Sequence, residues 1–265
     1  MSTVDFLARA AREFRRGGWV FTGFHWPVLA GHTAHALEGR PFTQVFEAGV
    51  STHGVGAEVP TSTTDYPAYA DAMGWLGSTA DVLLAMGNRF DRVVLDASNV
   101  DLRGRINSSF VGPVSRPTVR LPGGGGAADV AAKARELVLL FGAADLRRLV
   151  RAVEHVTAAP APKALIRLHT RWGVVLLGQS PVLEELATDV PGHELLVRRL
   201  EELGARTDGF IPRARITAGE RAAAAHVLHA AAARGYAVAQ KAVAETRPAA
   251  SAVDLPSAAD LEDVR

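Results

Sequence analysis

Two features of this 265-residue chain carry residue types suited to chemistry: the run Gly123, Gly124, Gly125, Gly126, and the carboxylate of Glu47. The glycines follow a short apolar segment, 118–121, and precede residues of helical character. Glycine adopts backbone angles closed to other residues and lets a ligand approach the main chain. Amides at a helix start are unpaired and positively polarised, so such a turn suits a phosphate or an oxyanion. A flexible turn is the ordinary meaning of a glycine run, but these flanks lack the serine of a linker. Glu47 follows the apolar segment 43–46 and precedes small residues. Ligands of open α/β sheets gather beyond the carboxyl ends of strands, and a carboxylate there can attack as a nucleophile. Taken alone, Glu47 reads more simply as a surface or hydrogen-bonded glutamate.

Composition narrows the classes. The chain is 48% hydrophobic and 22% charged, with net charge +1 and no cysteine. That balance fits a globular protein with a sizeable core and gives no sign of nucleic-acid or acidic-membrane binding. Disulfides, thiolate catalysis and cysteine-based metal sites are excluded. Residues 1–18 form a charged amphipathic segment without the apolar core of a signal peptide, and no apolar stretch is long enough to span a bilayer. A cytoplasmic protein is the default expectation.

The elements that must position these groups alternate. Phe6, Leu7, Ala10, Ala11 and Phe14 recur at helical spacing. Strands are expected at 19–22, 43–46, 82–86, 93–95, 118–121 and 137–141, a hairpin at 164–168 and 173–177, and loop over 51–64. Helices are expected at 28–37, 66–76, 130–136, 146–153, 181–186, 193–203 and, alanine-rich, 218–244. Strands alternating with helices imply an α/β fold: an open, mostly parallel sheet with flanking helices. The domain expectation is a main unit over 1–215, a C-terminal alanine-rich helix over 216–245, and a disordered tail over 246–265, where Ala, Pro and Ser dominate.

The order of motifs resembles the β subunit of family I coenzyme A transferases, the glutaconate and 3-oxoacid CoA-transferase type. Phe46-Glu47-Ala48-Gly49 is similar to the family's Glu-Ser-Gly or Glu-Asn-Gly. The stretch Val94-Leu-Asp-Ala-Ser-Asn-Val-Asp-Leu-Arg-Gly-Arg-Ile-Asn107 resembles Leu-Gly-Ala-x-Gln-Val-Asp-x-x-Gly-Asn-x-Asn. Arg120-Leu-Pro-Gly-Gly-Gly-Gly-Ala-Ala-Asp129 resembles Arg-Leu-Pro-Gly-Ser-Gly-Gly-Ala-x-Asp, the most specific of the three. The resemblance covers roughly residues 5 to 200. It implies the CoA-transferase fold (the NagB/RpiA/CoA-transferase type), Glu47 as nucleophile, and the amides of Gly125 and Gly126 as oxyanion donors. It further implies that Gly123, Gly124, Asn99 and Asn107 contribute to CoA binding, with no metal and no permanently bound cofactor, coenzyme A being a substrate. A separate α subunit in a hetero-oligomer is implied too, with acyl-CoA and carboxylic acid substrates. Asp96, Asn99 and Arg105 stand where the family carries glycine, glutamine and asparagine, and Ala48 where it carries serine or asparagine. These departures keep two alternatives open: a CoA-ester C–C hydrolase or decarboxylase on the same fold, and a non-catalytic CoA-ester-binding subunit.

Other polar residues have plainer readings. His25, His32 and His35 fit a helix surface or a pocket lining better than a metal site, having no acidic partner at ligand spacing. His53 is either a loop histidine or an acid–base group. Asp65 suits an N-cap. Asp101 and Asn107 either brace a turn or line the pocket, bracing being favoured. Trp19, Phe21 and Phe24 belong to the core or to a subunit interface.

Overall fold

The structure, a computed structural model, describes residues 2–246; the expected tail beyond them lies outside the described residues. Helix α1 (Thr3–Phe14) starts at Ser2, whose side chain accepts from the Asp5 amide at 3.1 Å. It buries all five residues of the apolar stripe, each large side chain contributing about 1.5–3 kcal/mol. The chain then runs through β1 (Gly18–Thr22), α2 (Trp26–His35), β2 (Phe42–Val45), β3 (Val50–Thr52), β4 (Met73–Leu76) and β5 (Arg92–Asp96). Five later strands complete one ten-stranded sheet: Glu136–Leu140, Leu165–His169, Gly173–Leu177, Val182–Leu186 and Ile211–Pro212.

From one edge the order is β4, β3, β2, β1, β5, then the later five in sequence. The strands from β2 to Leu165–His169 are parallel, and antiparallel hairpins extend both ends. Val93 and Leu95 pack on one face with Leu137 and Leu139, while Val94, Val138 and Leu140 pack on the other. Both faces are covered, which is why these strands read as unbroken apolar runs. Helices α1 and α2 and the C-terminal helices Ala218–Ala233 and Ala237–Thr246 cover the second face. The helix His193–Leu203 covers the first. The expected open, mostly parallel sheet with flanking helices is thus observed.

Several expected elements differ. Residues 182–186 form a strand rather than a helix: the two glutamates favour helix locally, but Leu183 and Leu186 are buried as one side of a hairpin. The helix expected over 66–76 is a single turn, Tyr66–Tyr69, followed by a 3₁₀ turn and the edge strand β4. Ser51 and Thr52, the start of the expected loop 51–64, belong to β3. Residues 82–86 fold as a π-helical turn, Asp81–Ala85, instead of a strand; a short apolar run does not distinguish the two. The segment 146–153 holds a 3₁₀ turn and a two-residue strand. The alanine-rich run is two helices, broken at Gly235, where φ is +88°. Its first helix starts with a reciprocal capping box between Thr217 and Glu220.

The pair His32 and His35 sits in this packing. His32 is 6% exposed, and the His35 ring stacks on Phe42 with centroids 4.0 Å apart. Burial, with the neighbouring His35 as a lesser cause, pushes His32 down to about 4; burial does the same for His35. Folded values below the ordinary 6.5 mean that the unfolded chain binds protons the fold does not. This stabilisation is therefore complete above pH 6.5 and is lost as pH falls toward 4, by about 3 kcal/mol for His32 alone. Thermal melts from pH 7 to 4.5 are expected to show a steep fall in Tm, and His32→Asn a shallower one; equal slopes would remove His32 as the cause.

Candidate active site

The chain order reverses at β1: β2 lies on one side of it and β5 on the other. The loops leaving the carboxyl ends of β1 and β5 diverge there and leave a crevice. A cleft of about 790 Å³ occupies it, lined by Gly23 and His25 beyond β1, Glu47 beyond β2, and Asp96 and Ser98 at the end of β5.

Glu47 is the second residue of a tight turn joining β2 to β3. The Gly49 amide donates to the Phe46 carbonyl at 3.0 Å, and the Phe46 amide to the Val50 carbonyl at 2.8 Å. Gly49 has φ +99°, and a Cβ there would stand 2.1 Å from the Gly77 carbonyl oxygen; the Gly77 amide donates back to the Gly49 carbonyl at 2.8 Å. The glycine of Glu-Ala-Gly is a steric requirement of the turn that aims Glu47. Tyr66 steadies the same turn, its hydroxyl donating to the Ala48 carbonyl at 3.2 Å. Glu47 is half-buried and reaches the cleft, and its carboxylate has no hydrogen-bond or ion-pair partner among the described residues.

The glycine run faces this carboxylate. A Cβ on Gly125, where φ is +50°, would lie 2.9 Å from Glu47 Oε2, and one on Gly126 would lie 3.2 Å from Glu47 Cδ. Only a bare main chain fits so close. The Gly123 amide donates to the Ser108 carbonyl at 2.8 Å, which anchors the start of the run. The amides of Gly124, Gly125 and Gly126 make no hydrogen bond among the described residues. Gly126 then caps a helix of five residues, Ala127–Ala131, earlier and shorter than the 130–136 expected.

The structure brings Glu47, Gly123, Gly124 and Gly125 to one cleft, with Gly126 packed behind the Glu47 carboxyl carbon. Asn99 and Asn107 do not line it. Asn99 Nδ2 donates to the Asn107 carbonyl at 3.2 Å. The buried Asn107 donates from Nδ2 to the Phe110 carbonyl at 2.8 Å and accepts from the Ser109 amide at 3.1 Å. Asp101 likewise holds the turn, accepting from the Arg103 and Arg105 amides at 2.9 and 3.1 Å. His53 pairs with the Thr43 hydroxyl at 2.9 Å, off the cleft. Asp65 accepts from the Thr61 amide at 2.8 Å and from Arg234 at 2.9 Å instead of capping a helix. The Thr61 bonds, chiefly its amide, hold its carboxyl below the usual range. Phe21 and Phe24 border the cleft, and Trp19 is 43% exposed.

Among the lining residues outside the expected catalytic and CoA-binding set are His25 and Tyr236. His25 has φ 63° and ψ −113°, the one positive φ outside glycine among the described residues, a strain of about 1–3 kcal/mol of a kind found at functional sites. Its Nδ1 lies 3.7 Å from Asp96 Oδ2. Its position in the loop after a central strand, before the helix-starting Pro27, was the available signal. Tyr236 reaches the cleft from the break between the C-terminal helices; nothing local in its sequence marks it.

No family model matches the chain. Over 144 residues it is 31% identical to the second (β) chain of 3-oxoadipate CoA-transferase from Pseudomonas knackmussii, a match covering 50% of this chain and 51% of that protein. The match thus spans about half the length of that relative. Among solved structures, the decarboxylase AibA/AibB superposes with a TM-score of 0.69 at 24% identity, covering 84% of this chain and 92% of that one. Glutaconate coenzyme A-transferase from Acidaminococcus fermentans gives 0.67 at 17% identity, with coverage of 84% and 92%. No helix among the described residues is long and apolar enough to cross a membrane. The resemblance read from the motifs therefore extends to the fold, which this chain shares with the AibA/AibB decarboxylase and glutaconate coenzyme A-transferase structures.

Proposed function

We propose that this chain is the β subunit of a CoA-transferase that moves CoA between an acyl-CoA and a carboxylic acid, with Glu47 as the covalent carrier. The observation that carries this reading is the unpartnered Glu47 carboxylate set against the unbonded amides of Gly124 and Gly125 within one cleft, with the unbonded Gly126 packed behind it. A carboxylate needs no general base to attack at neutral pH. Glu47 adds to the thioester carbonyl, and collapse gives a mixed anhydride and CoA thiolate. The thiolate then attacks the glutamyl carbonyl, releasing the first carboxylate and leaving a glutamyl-CoA thioester. A second carboxylate collects CoA by the same steps reversed. The Gly125 and Gly126 amides are the donors for the oxyanion of each tetrahedral intermediate, with Gly123 and Gly124 beside them on the CoA path. Likeness to the β chain of a CoA-transferase supports the reaction class. Incubation with acyl-CoA followed by hydroxylamine or borohydride and mass spectrometry tests it: a modified Glu47 is expected, and turnover without any adduct would overturn it.

A separate α subunit is part of this reading, because the similar 3-oxoadipate CoA-transferase chain is itself named a subunit. We place the domain boundary near residue 215, the two C-terminal helices being an addition docked on the same core. The purified chain is expected to show no CoA exchange alone and to gain it on adding the partner. A stable, active species containing only this polypeptide would sink the two-subunit proposal.

A second reading, decarboxylation or C–C hydrolysis of a CoA ester, has one observation in its favour. His25 and Asp96 form a pair suited to moving a proton, which transfer does not need. Product analysis separates the two: release of carbon dioxide or a cleaved acid without an acceptor would support it.

A further inference from the structure

We propose that the acyl group taken by this cleft is an apolar monocarboxylic one whose chain lies against Phe24 and Tyr236; this rests on the transfer reading and names its substrate class. The wall is aromatic and fixed. Phe24 and Tyr236 have ring centroids 5.6 Å apart, and His25 sits 5.1 Å from Phe24 and 6.3 Å from Tyr236. Tyr236 is 6% exposed, and its hydroxyl donates to the Pro60 carbonyl. Val238 continues the same wall.

Charge excludes the alternative class. Four ionisable side chains besides Tyr236 line the cleft: His25, Glu47, Asp96 and Arg234. The Arg234 guanidinium is taken up by the loop outside, donating to the Val59 carbonyl at 3.2 Å and Asp65 at 2.9 Å and pairing with Glu58 at 2.5 Å. His25 already faces Asp96. A dicarboxylic acyl chain would bring a second carboxylate toward Glu47 and Asp96 with no unengaged cation among the described lining residues of this chain to meet it, so like charges would oppose its binding. An alkyl or aryl chain gains instead from burial against the rings.

The test compares chains of equal length. Non-transferable thioether analogues of hexanoyl-CoA and adipoyl-CoA, which differ at the far end by one carboxylate, are titrated by calorimetry into the full chain with its partner subunit. The hexanoyl analogue is expected to bind about tenfold tighter or more. Tyr236→Ala should erase most of that ratio, while Tyr236→Phe, which keeps the ring and loses only the bond to Pro60, should retain it. Melting curves report whether Tyr236→Ala still folds; if it does not, the Phe variant and the wild-type ratio decide. Equal or tighter binding of the adipoyl analogue overturns the proposal. If reactive acyl-CoA leaves no adduct on Glu47, the transfer reading fails, and the affinity ratio still decides the chemistry of the wall.

Discussion

Glu47→Gln is expected to lower CoA exchange by roughly ten-thousandfold, the scale of nucleophile deletions, with little change in folding or in acyl-CoA affinity. The amide keeps the side chain's shape at a position where the carboxylate has no partner to lose, so no ion pair or hydrogen bond is broken. What disappears is the charge that attacks. Glu47→Asp should fail nearly as badly, because the turn fixes Cα and the shorter side chain draws the oxygen back from where the thioester must lie. Steady-state rates with the assembled enzyme, together with melting curves, check both. Wild-type-like turnover by pure Glu47→Gln would take Glu47 out of the mechanism.

Gly125→Val is expected to lower kcat by at least about a hundredfold, the scale of a lost oxyanion donor. Its Cβ would stand 2.9 Å from Glu47 Oε2 and 3.3 Å from Oε1, displacing the carboxylate and the amide at once. The cost to stability is smaller, since only the positive φ is strained: about 1–2 kcal/mol, or no more than about 5 °C in Tm. Gly209→Val is the control, also at positive φ but with nothing within 4 Å of its Cβ; it should show the same stability cost with activity intact. Parallel losses of activity and Tm at Gly125 would reduce the run to a hinge.

The central strands were legible because burial on both faces leaves a plain signal: Val93, Val94 and Leu95 are all at most 5% exposed. The edges were not. In β4, Gly74 interrupts a sequence with otherwise helical spacing, and pairing with β3 decides the outcome. In 182–186 the helix preference of two glutamates yields to a hairpin partner. In the cleft, Glu47 and the glycines were legible by motif, and the structure brings them together. Asn107 was placed with them by the same motif, yet its amide serves the backbone at 109–110. Tyr236 was illegible for a different reason. It meets Pro60 across 176 positions, and no local pattern encodes so distant a contact.

That contact also fixes when the cleft comes into being. Apart from residues 234–238, no lining residue among the described residues lies beyond Ala127. During synthesis the glutamate turn, the glycines and the strand ends therefore all leave the ribosome before the wall that closes them. A nascent chain stalled short of Arg234 carries Glu47 in an open groove, with loop 58–65 lacking the Arg234 and Tyr236 bonds that hold it. The enclosure of Glu47 is in this sense the last feature of the cleft to form during synthesis.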